Sequence, residues 1–402
     1  MRLIKKSILF MLSSMNVGGV EKSFLSLLSS IPKDKYTVTL LLLEKKGGFL
    51  NLVPDWVKVE EVTWYQELKP VIMQPPQKTV IDFLKSGRFI KALLFVCTYF
   101  ISKKLNDRYI YYRPLFKEIP EYPRSFDIAI AYQGPTEVID YYVANKVKAY
   151  NKSTWIHFDV EKHVINKKLY TKLHQQFDSV HAVSEEAKQR LLKVLPYYKD
   201  KPKVFPNIIQ NKVIHEMSME HVNFDKNYKG IKIVTVGRLS KEKGQDMAIQ
   251  VLSKLKQDGY KVRWYCIGEG RARSDYEKLI NEYQLEESFM LLGSKMNPYP
   301  YVKNADIYVQ PSRHEGFCLT LAEAKCLYKP IVTTDFTGAK EQITDGFNGL
   351  IVKGNFNELY ESIKYLIDTP EVREKLSNNL IDNMMDTTQQ AADYFNNLSE
   401  VK

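Results

Sequence analysis

The chain has 402 residues, 44% hydrophobic and 26% charged, which is enough for two ordinary domains and too apolar for a disordered or low-complexity polypeptide. Its four cysteines, Cys97, Cys266, Cys318 and Cys326, form no CxxC pair; they support neither a disulfide frame nor a zinc site and read as reduced, mostly buried thiols of a cytosolic protein. The net charge of +11 is unevenly spread: residues 1–210 hold 33 Lys and Arg against 20 Asp and Glu, and the remainder holds 25 against 27. A basic first half can face nucleic acid, an anionic bilayer or a phosphorylated substrate. No nucleic-acid motif accompanies it and its lysines are scattered, so nucleic acid is set aside as a partner.

MRLIKKSILFMLSSM imitates a secretory signal, but the apolar run from Ile8 to Leu12 is short for one and no small-residue cleavage site follows. A first buried strand is expected instead. GGVEKSFLSLLSSI has helical spacing, and YTVTLLLLE reads as a second strand. ALLFVCTYFI, residues 92–101, is strongly apolar but well short of the roughly 20 residues that a membrane span needs. It is either a core helix or one that rests on a bilayer surface between Lys91 and Lys103–Lys104. FDIAIAYQ, STWIHF and SVHAVS follow as strands bounded by polar residues. Residues 206–230 are polar and weakly periodic and read as a break. The alternation then restarts with IKIVTVG as strand, GRLSKEKGQD as loop, MAIQVLSKLKQ as helix and VRWYCIGEG as strand and turn, and continues through ADIYVQPS, PIVTT and GLIV.

Strands alternating with helices predict an α/β fold with parallel sheets covered on both faces. Two Rossmann-like domains are expected, residues 1–206 and 207–384, with a helical tail over 385–402 that crosses back to the first.

Ligands of such sheets collect at the carboxyl ends of strands, where loops meet helix N-termini. Four stretches fall there. In PSRHEGFCLTLAEA the chain passes from strand to loop to helix, so the N–H groups near Phe317, Cys318 and Leu319 are unpaired and suit a phosphate. Glu323, one turn into that helix, can accept hydrogen bonds from both hydroxyls of a ribose, and Glu315 on the loop can hold another hydroxylated group. VGRLSKEKGQD sets Arg238 and Lys243 at the top of the same sheet; it is not a P-loop, because GxxxxGK[ST] is absent. In SSMNVGGVEKS, Gly18 and Gly19 allow close backbone approach to a ligand. STWIHFDV places His157 at a strand end, where a histidine can bond a hydroxyl or move a proton. Taken singly, each of these also fits an ordinary turn, helix start or structural histidine. No DxD triplet occurs, so the usual carboxylate pair for a metal on a diphosphate is missing.

Together GGVEK, WIHFD, VGRLSKEKGQD, IGEG and SRHEGFCLTLAEA resemble the retaining glycosyltransferases of family 4, over most of the chain and in the same order. The resemblance implies the two-domain GT-B fold with its domains facing a central cleft, a nucleotide-sugar donor (a UDP- or GDP-sugar), no cofactor and no metal ion. It implies that Arg238 and Lys243 bind the diphosphate and that the backbone from Gly316 to Leu319 cradles phosphates and sugar. Glu323 would hold the ribose, Glu315 the sugar hydroxyls, and His157 would meet the donor sugar near its reacting carbon. Gly18–Gly19 would close over the donor from the acceptor domain. The acceptor is expected to be a saccharide, often lipid-linked, in surface polysaccharide synthesis such as capsule or lipopolysaccharide. The location is expected to be cytoplasmic, with a peripheral contact of the basic half and the 89–101 region to an anionic membrane. The base is expected near residues 292–299. PNIIQ keeps Asn207 of the family's Asn-Pro-x-x-Asp junction but has Ile208 and Gln210 at the other two places. A nucleotide-sugar epimerase and a non-catalytic nucleotide-sugar-binding protein share the architecture.

Overall fold

Residues 5–161, 165–196, 200–381 and 387–400 are described by a computed structural model. The chain divides into two units, one running to Phe205 and resuming at Ala392, the other Pro206–Ala391. The expected 384/385 boundary lies outside the described residues.

In the first unit seven strands form one sheet. In chain order they are β1 (Lys6–Leu12), β2 (Tyr36–Leu42), β3 (Val57–Glu61), β4 (Ser125–Gly134), β5 (Lys148–Ile156), β6 (Ser179–Ala182) and β7 (Pro202–Val204). Their spatial order is β3-β2-β1-β4-β5-β6-β7, all parallel. A central parallel strand is covered on both faces and so is apolar at consecutive positions; Ile8 to Leu12, the run that imitates a signal, is such a strand and is wholly buried. The second unit repeats the scheme with β8 (Ile231–Val236), β9 (Val262–Ile267), β10 (Phe289–Leu291), β11 (Ile307–Gln310), β12 (Ile331–Thr334) and β13 (Leu350–Val352). Their order is β10-β9-β8-β11-β12-β13, again all parallel. In each sheet the chain winds outward one way and then the other. The loops after β1 and β4, and after β8 and β11, therefore leave neighbouring strands in opposite directions and open a crevice at the switch point.

Helix Gln245–Gln257 covers the second sheet with Met247, Ala248, Val251, Leu252 and Leu255, a stripe at helical spacing that is fully or almost fully buried. Four helices that the sequence shows only in part lie between β3 and β4: Tyr65–Met73, Pro76–Lys85, Phe89–Leu105 and Arg108–Lys117. Their aromatic core includes Trp64 against Tyr142, with ring centroids 4.8 Å apart, and Phe116 against Tyr141 at 4.4 Å. Phe89–Leu105 contributes Phe95, whose ring centroid lies 5.7 Å from that of Tyr111; Ala92, Phe95 and Ser102 are its buried residues. No helix among the described residues is long and apolar enough to cross a membrane.

The stretch read as a break contains helix Asn211–Ser218, whose buried Ile214 and Ser218 make a stripe too short to show a period. Thr387 pins the junction: its hydroxyl accepts from the Ile209 N–H at 2.8 Å and donates to the Asn207 carbonyl at 3.1 Å. The closing helix, Thr388–Glu400, then returns to the first unit, where the Phe395 carbonyl accepts from the Tyr36 hydroxyl at 2.6 Å and the Tyr394 ring packs on Phe205 at 4.9 Å. The four cysteines are free; Cys97 is exposed and the other three are buried.

Candidate functional site

The loops at the switch point of the second unit carry Arg238, Lys243 and Glu315–Cys318, and helix Leu319–Cys326 begins there. Gly244 is what lets them meet. It has φ +73°, and a Cβ built on it would lie 1.9 Å from the Pro311 carbonyl oxygen, so no other residue fits without moving one loop off the other. Across this contact the Arg313 and His314 N–H groups both donate to the Glu242 carbonyl. The Arg313 guanidinium forms a two-pronged pair with Asp246 at 2.8 and 2.7 Å and also donates to the Lys241 carbonyl.

Within this frame the Lys243 ammonium donates to the Glu315 carboxylate. Burial pushes the lysine pKa down, but the Glu315 charge and hydrogen bond outweigh it and hold the pKa above the ordinary lysine value. Glu315 is fixed from its other side by a chain of side chains. Ser312 Oγ donates to it at 2.9 Å, Gln310 Nε2 donates to Ser312 at 2.8 Å, and the Tyr308 hydroxyl donates to Gln310 Oε1 at 2.6 Å. Arg238, exposed, makes no ion pair among the described residues and its charge reaches Lys243.

Cys318 stands at the helix entrance with φ +63°, a left-handed conformation uncommon for a residue with a Cβ. Burial pushes its thiol up to about 12, so no thiolate opposes an anion there. Of the N–H groups that open helix Leu319–Cys326, those of Leu321 and Ala322 donate to the Cys318 carbonyl, and those of Leu319 and Thr320 come before any intrahelical acceptor. Glu323, on that helix, is buried, and its Oε1 accepts from the Tyr299 hydroxyl at 3.2 Å. Two cations, an open helix start and two oriented carboxylates thus share one loop cluster. The arrangement can neutralise an anion while gripping hydroxyl groups beside it.

In the first unit, Gly18 caps helix Gly19–Ser29. Ser23 of that helix hydrogen-bonds the Tyr132 hydroxyl at 2.8 Å, and the Tyr132 ring lies 4.8 Å from the His157 ring. Burial lowers the His157 pKa to about 4, so the ring is neutral near pH 7. Its hydrogen bond to the Tyr132 backbone leaves Nε2 buried and without a partner among the described residues, a neutral acceptor for a hydroxyl. Asp159, two residues on, pairs with Arg190 at 2.9 Å and is structural.

Sequence reasoning passed over Gln310, Ser312, Arg313 and Tyr299. Gln310 left a signal, as the one amide in an otherwise apolar buried strand. Tyr299 and Arg313 left none, because their roles rest on contacts with residues 24 and up to 72 positions away; Ser312 reads locally as an ordinary loop serine, although its partner Glu315 lies three residues on.

Over 217 residues the chain is 28% identical to the N-acetylgalactosamine-N,N'-diacetylbacillosaminyl-diphospho-undecaprenol 4-alpha-N-acetylgalactosaminyltransferase of Campylobacter jejuni, covering 54% of this chain and 58% of that protein. Over 146 residues it is 30% identical to the capsular polysaccharide biosynthesis glycosyltransferase CapM of Staphylococcus aureus, covering 36% and 38%. The chain thus spans less than two thirds of either relative's length. The crystal structure of Anabaena HepE in complex with UDP and glucose superposes with a TM-score of 0.72 at 16% identity, covering 98% of this chain and 100% of that one. The fold is therefore GT-B, as the sequence implied. Residues 218–382, which hold every candidate residue of the second unit, match the family model of glycosyl transferases group 1.

Proposed function

We propose that the chain is a retaining, metal-independent glycosyltransferase that moves a sugar from a nucleotide-sugar donor to a saccharide or lipid-linked acceptor in the cytoplasm, for surface polysaccharide assembly. One observation carries the reading: Arg238, the Lys243–Glu315 pair, the helix entrance at Cys318 and buried Glu323 stand together at the switch point of one sheet. Cations beside two fixed acids suit a diphosphate with a sugar at either end, and they suit little else of that size.

Under this reading Arg238, Lys243 and the backbone from Gly316 to Leu319 take the diphosphate. Glu323 takes the ribose, Glu315 and His157 take the transferred sugar, and Gly18–Gly19 act from the first unit. The bond from the anomeric carbon to the diphosphate oxygen breaks, and a bond to the acceptor oxygen forms on the same face. The departing phosphate oxygen receives the acceptor's proton, so no separate base is needed. HepE was crystallised with UDP and glucose, which makes UDP-sugars the first donors to try.

The test is incubation with a panel of UDP- and GDP-sugars in EDTA, with the products read by NMR. A product keeping the donor's anomeric configuration is expected. Inverted product, turnover that appears only with manganese, or mere interconversion of nucleotide sugars would each sink the proposal, the last in favour of an epimerase.

A further inference from the structure

Helix Phe89–Leu105 has two apolar faces and buries one. Ala92 is buried and Phe95 packs into the core of the first unit. On the other side Phe89 is 65% exposed, Ile90 77%, Leu93 66%, Leu94 56%, Phe100 63% and Ile101 47%. At 3.6 residues per turn these side chains and Cys97 fall in one arc of roughly 140° along a helix about 25 Å long. Apolar side chains scattered singly over a surface are ordinary; a continuous stripe of this length marks a surface that something covers.

Charge says what covers it. Residues 83–106 contain Lys85, Arg88, Lys91, Lys103 and Lys104 and no acidic residue. On the helix Lys91 and Lys103 fall on opposite shoulders of the apolar arc, with Lys104 inside it. Of these cations Lys91 has a carboxylate partner, Glu118 at 2.6 Å, and that pair is exposed. The preceding helix, Pro76–Lys85, adds exposed Ile81 and Leu84. A second copy of this surface would bring five like charges against five. A bilayer with anionic headgroups instead receives the rings and aliphatic chains below and the ammonium groups at headgroup level. At 17 residues the helix is too short to span.

We infer that helix Phe89–Leu105 docks the chain on an anionic lipid surface, lying in the interface plane with its Phe89–Ile90–Leu93–Leu94–Phe100–Ile101 face in the acyl boundary. The inference stands apart from the transfer reading, since none of these residues belongs to the candidate site.

Flotation with vesicles of phosphatidylcholine alone and of phosphatidylcholine with 30% phosphatidylglycerol tests it. The chain is expected to float with the anionic vesicles at 50 mM salt. Binding should fall at least about tenfold at 500 mM salt, where screening is short-ranged. It should fall by as much in the exposed variant Phe89→Ser/Leu93→Ser/Phe100→Ser, whose melting temperature serves as the control for folding. Absence of binding to anionic vesicles overturns the inference, and so does equal binding by the triple variant. Light scattering adds a further arm: a dimer that the triple variant dissolves, with no vesicle binding by either, assigns the face to self-association and overturns it equally.

Discussion

Lys243 and Glu315 answer each other's charge, so truncating one strands the other in a partly buried site. Lys243→Ala is expected to lower sugar transfer by about 10²-fold or more, the range found when one preorganised charge stabiliser is removed. It should also lower the melting temperature by a few degrees. The double variant Lys243→Ala/Glu315→Gln should regain the melting temperature and none of the rate; recovery of both would show that the pair is structural alone. Tyr299 gives a finer test. Its hydroxyl orients Glu323, and a hydrogen bond to a charged group contributes about 1.5–3 kcal/mol. Tyr299→Phe should raise the donor KM at least about tenfold with kcat little changed. Preference for UDP over its 2'-deoxyribose counterpart should shrink with it, measured as competing inhibition constants. An unchanged preference would detach Glu323 from the ribose. The acids themselves were legible, since a loop acid before a helix and another one turn inside it are local features. Tyr299 was not, because nothing near it in the chain says which carboxylate it touches.

Among the elements, the two loops of the second unit depend on Gly244. A side chain there meets both a positive φ and the Pro311 carbonyl. Gly244→Ala is expected to cost at least about 2–3 kcal/mol, more than a left-handed residue alone, because the loops must also separate. Urea unfolding checks this, and a loss under about 0.5 kcal/mol would show that the loops do not rely on the contact. Sequence spacing marked strand, loop and helix for this region because alternation of short apolar runs with helical stripes is a local signal. Helix Asn211–Ser218 escaped, being two turns long with two buried positions. Of the helices between β3 and β4 the sequence showed residues 92–101 alone, and there apolar side chains lie on both the buried and the exposed side of Phe89–Leu105, so its period does not say which face is buried.

At the scale of the whole molecule, the first unit buries three neutral imidazoles among its described residues. Burial lowers His157 to about 4 and His174 and His181 to about 3, from an ordinary 6.5. Each lowered group binds fewer protons folded than unfolded, so stability present above pH 6.5 drains away as pH falls toward 4. Asp140 works the other way: burial raises its carboxyl to about 7, so the folded state takes up a proton that the unfolded state releases, and acidification through pH 7 stabilises. Between pH 7 and pH 5 the three histidines oppose Asp140 and Glu137, whose carboxyl burial also raises, and a net loss of at most about 3 kcal/mol from the first unit is expected at 1.36 kcal/mol per pH unit per group. Hydrogen exchange of the strands around Trp155 at the two pH values measures it. Equal protection would mean that the rings are hydrated.

The sequence by itself determined what depends on neighbours along the chain: the strand and helix alternation, the glycine and basic loops at strand ends, the acids flanking a helix start, and the surplus of positive charge in the first half. Only the tertiary structure decided the strand order that places the loops after β8 and β11 side by side, the pairing of Lys243 with Glu315 and of Tyr299 with Glu323, and which face of helix Phe89–Leu105 is left to solvent. The physical reason is that periodicity reports whether a residue is buried against something, whereas a pairing between residues far apart in sequence is set by how separately wound elements pack. Hydropathy alone does not carry that information.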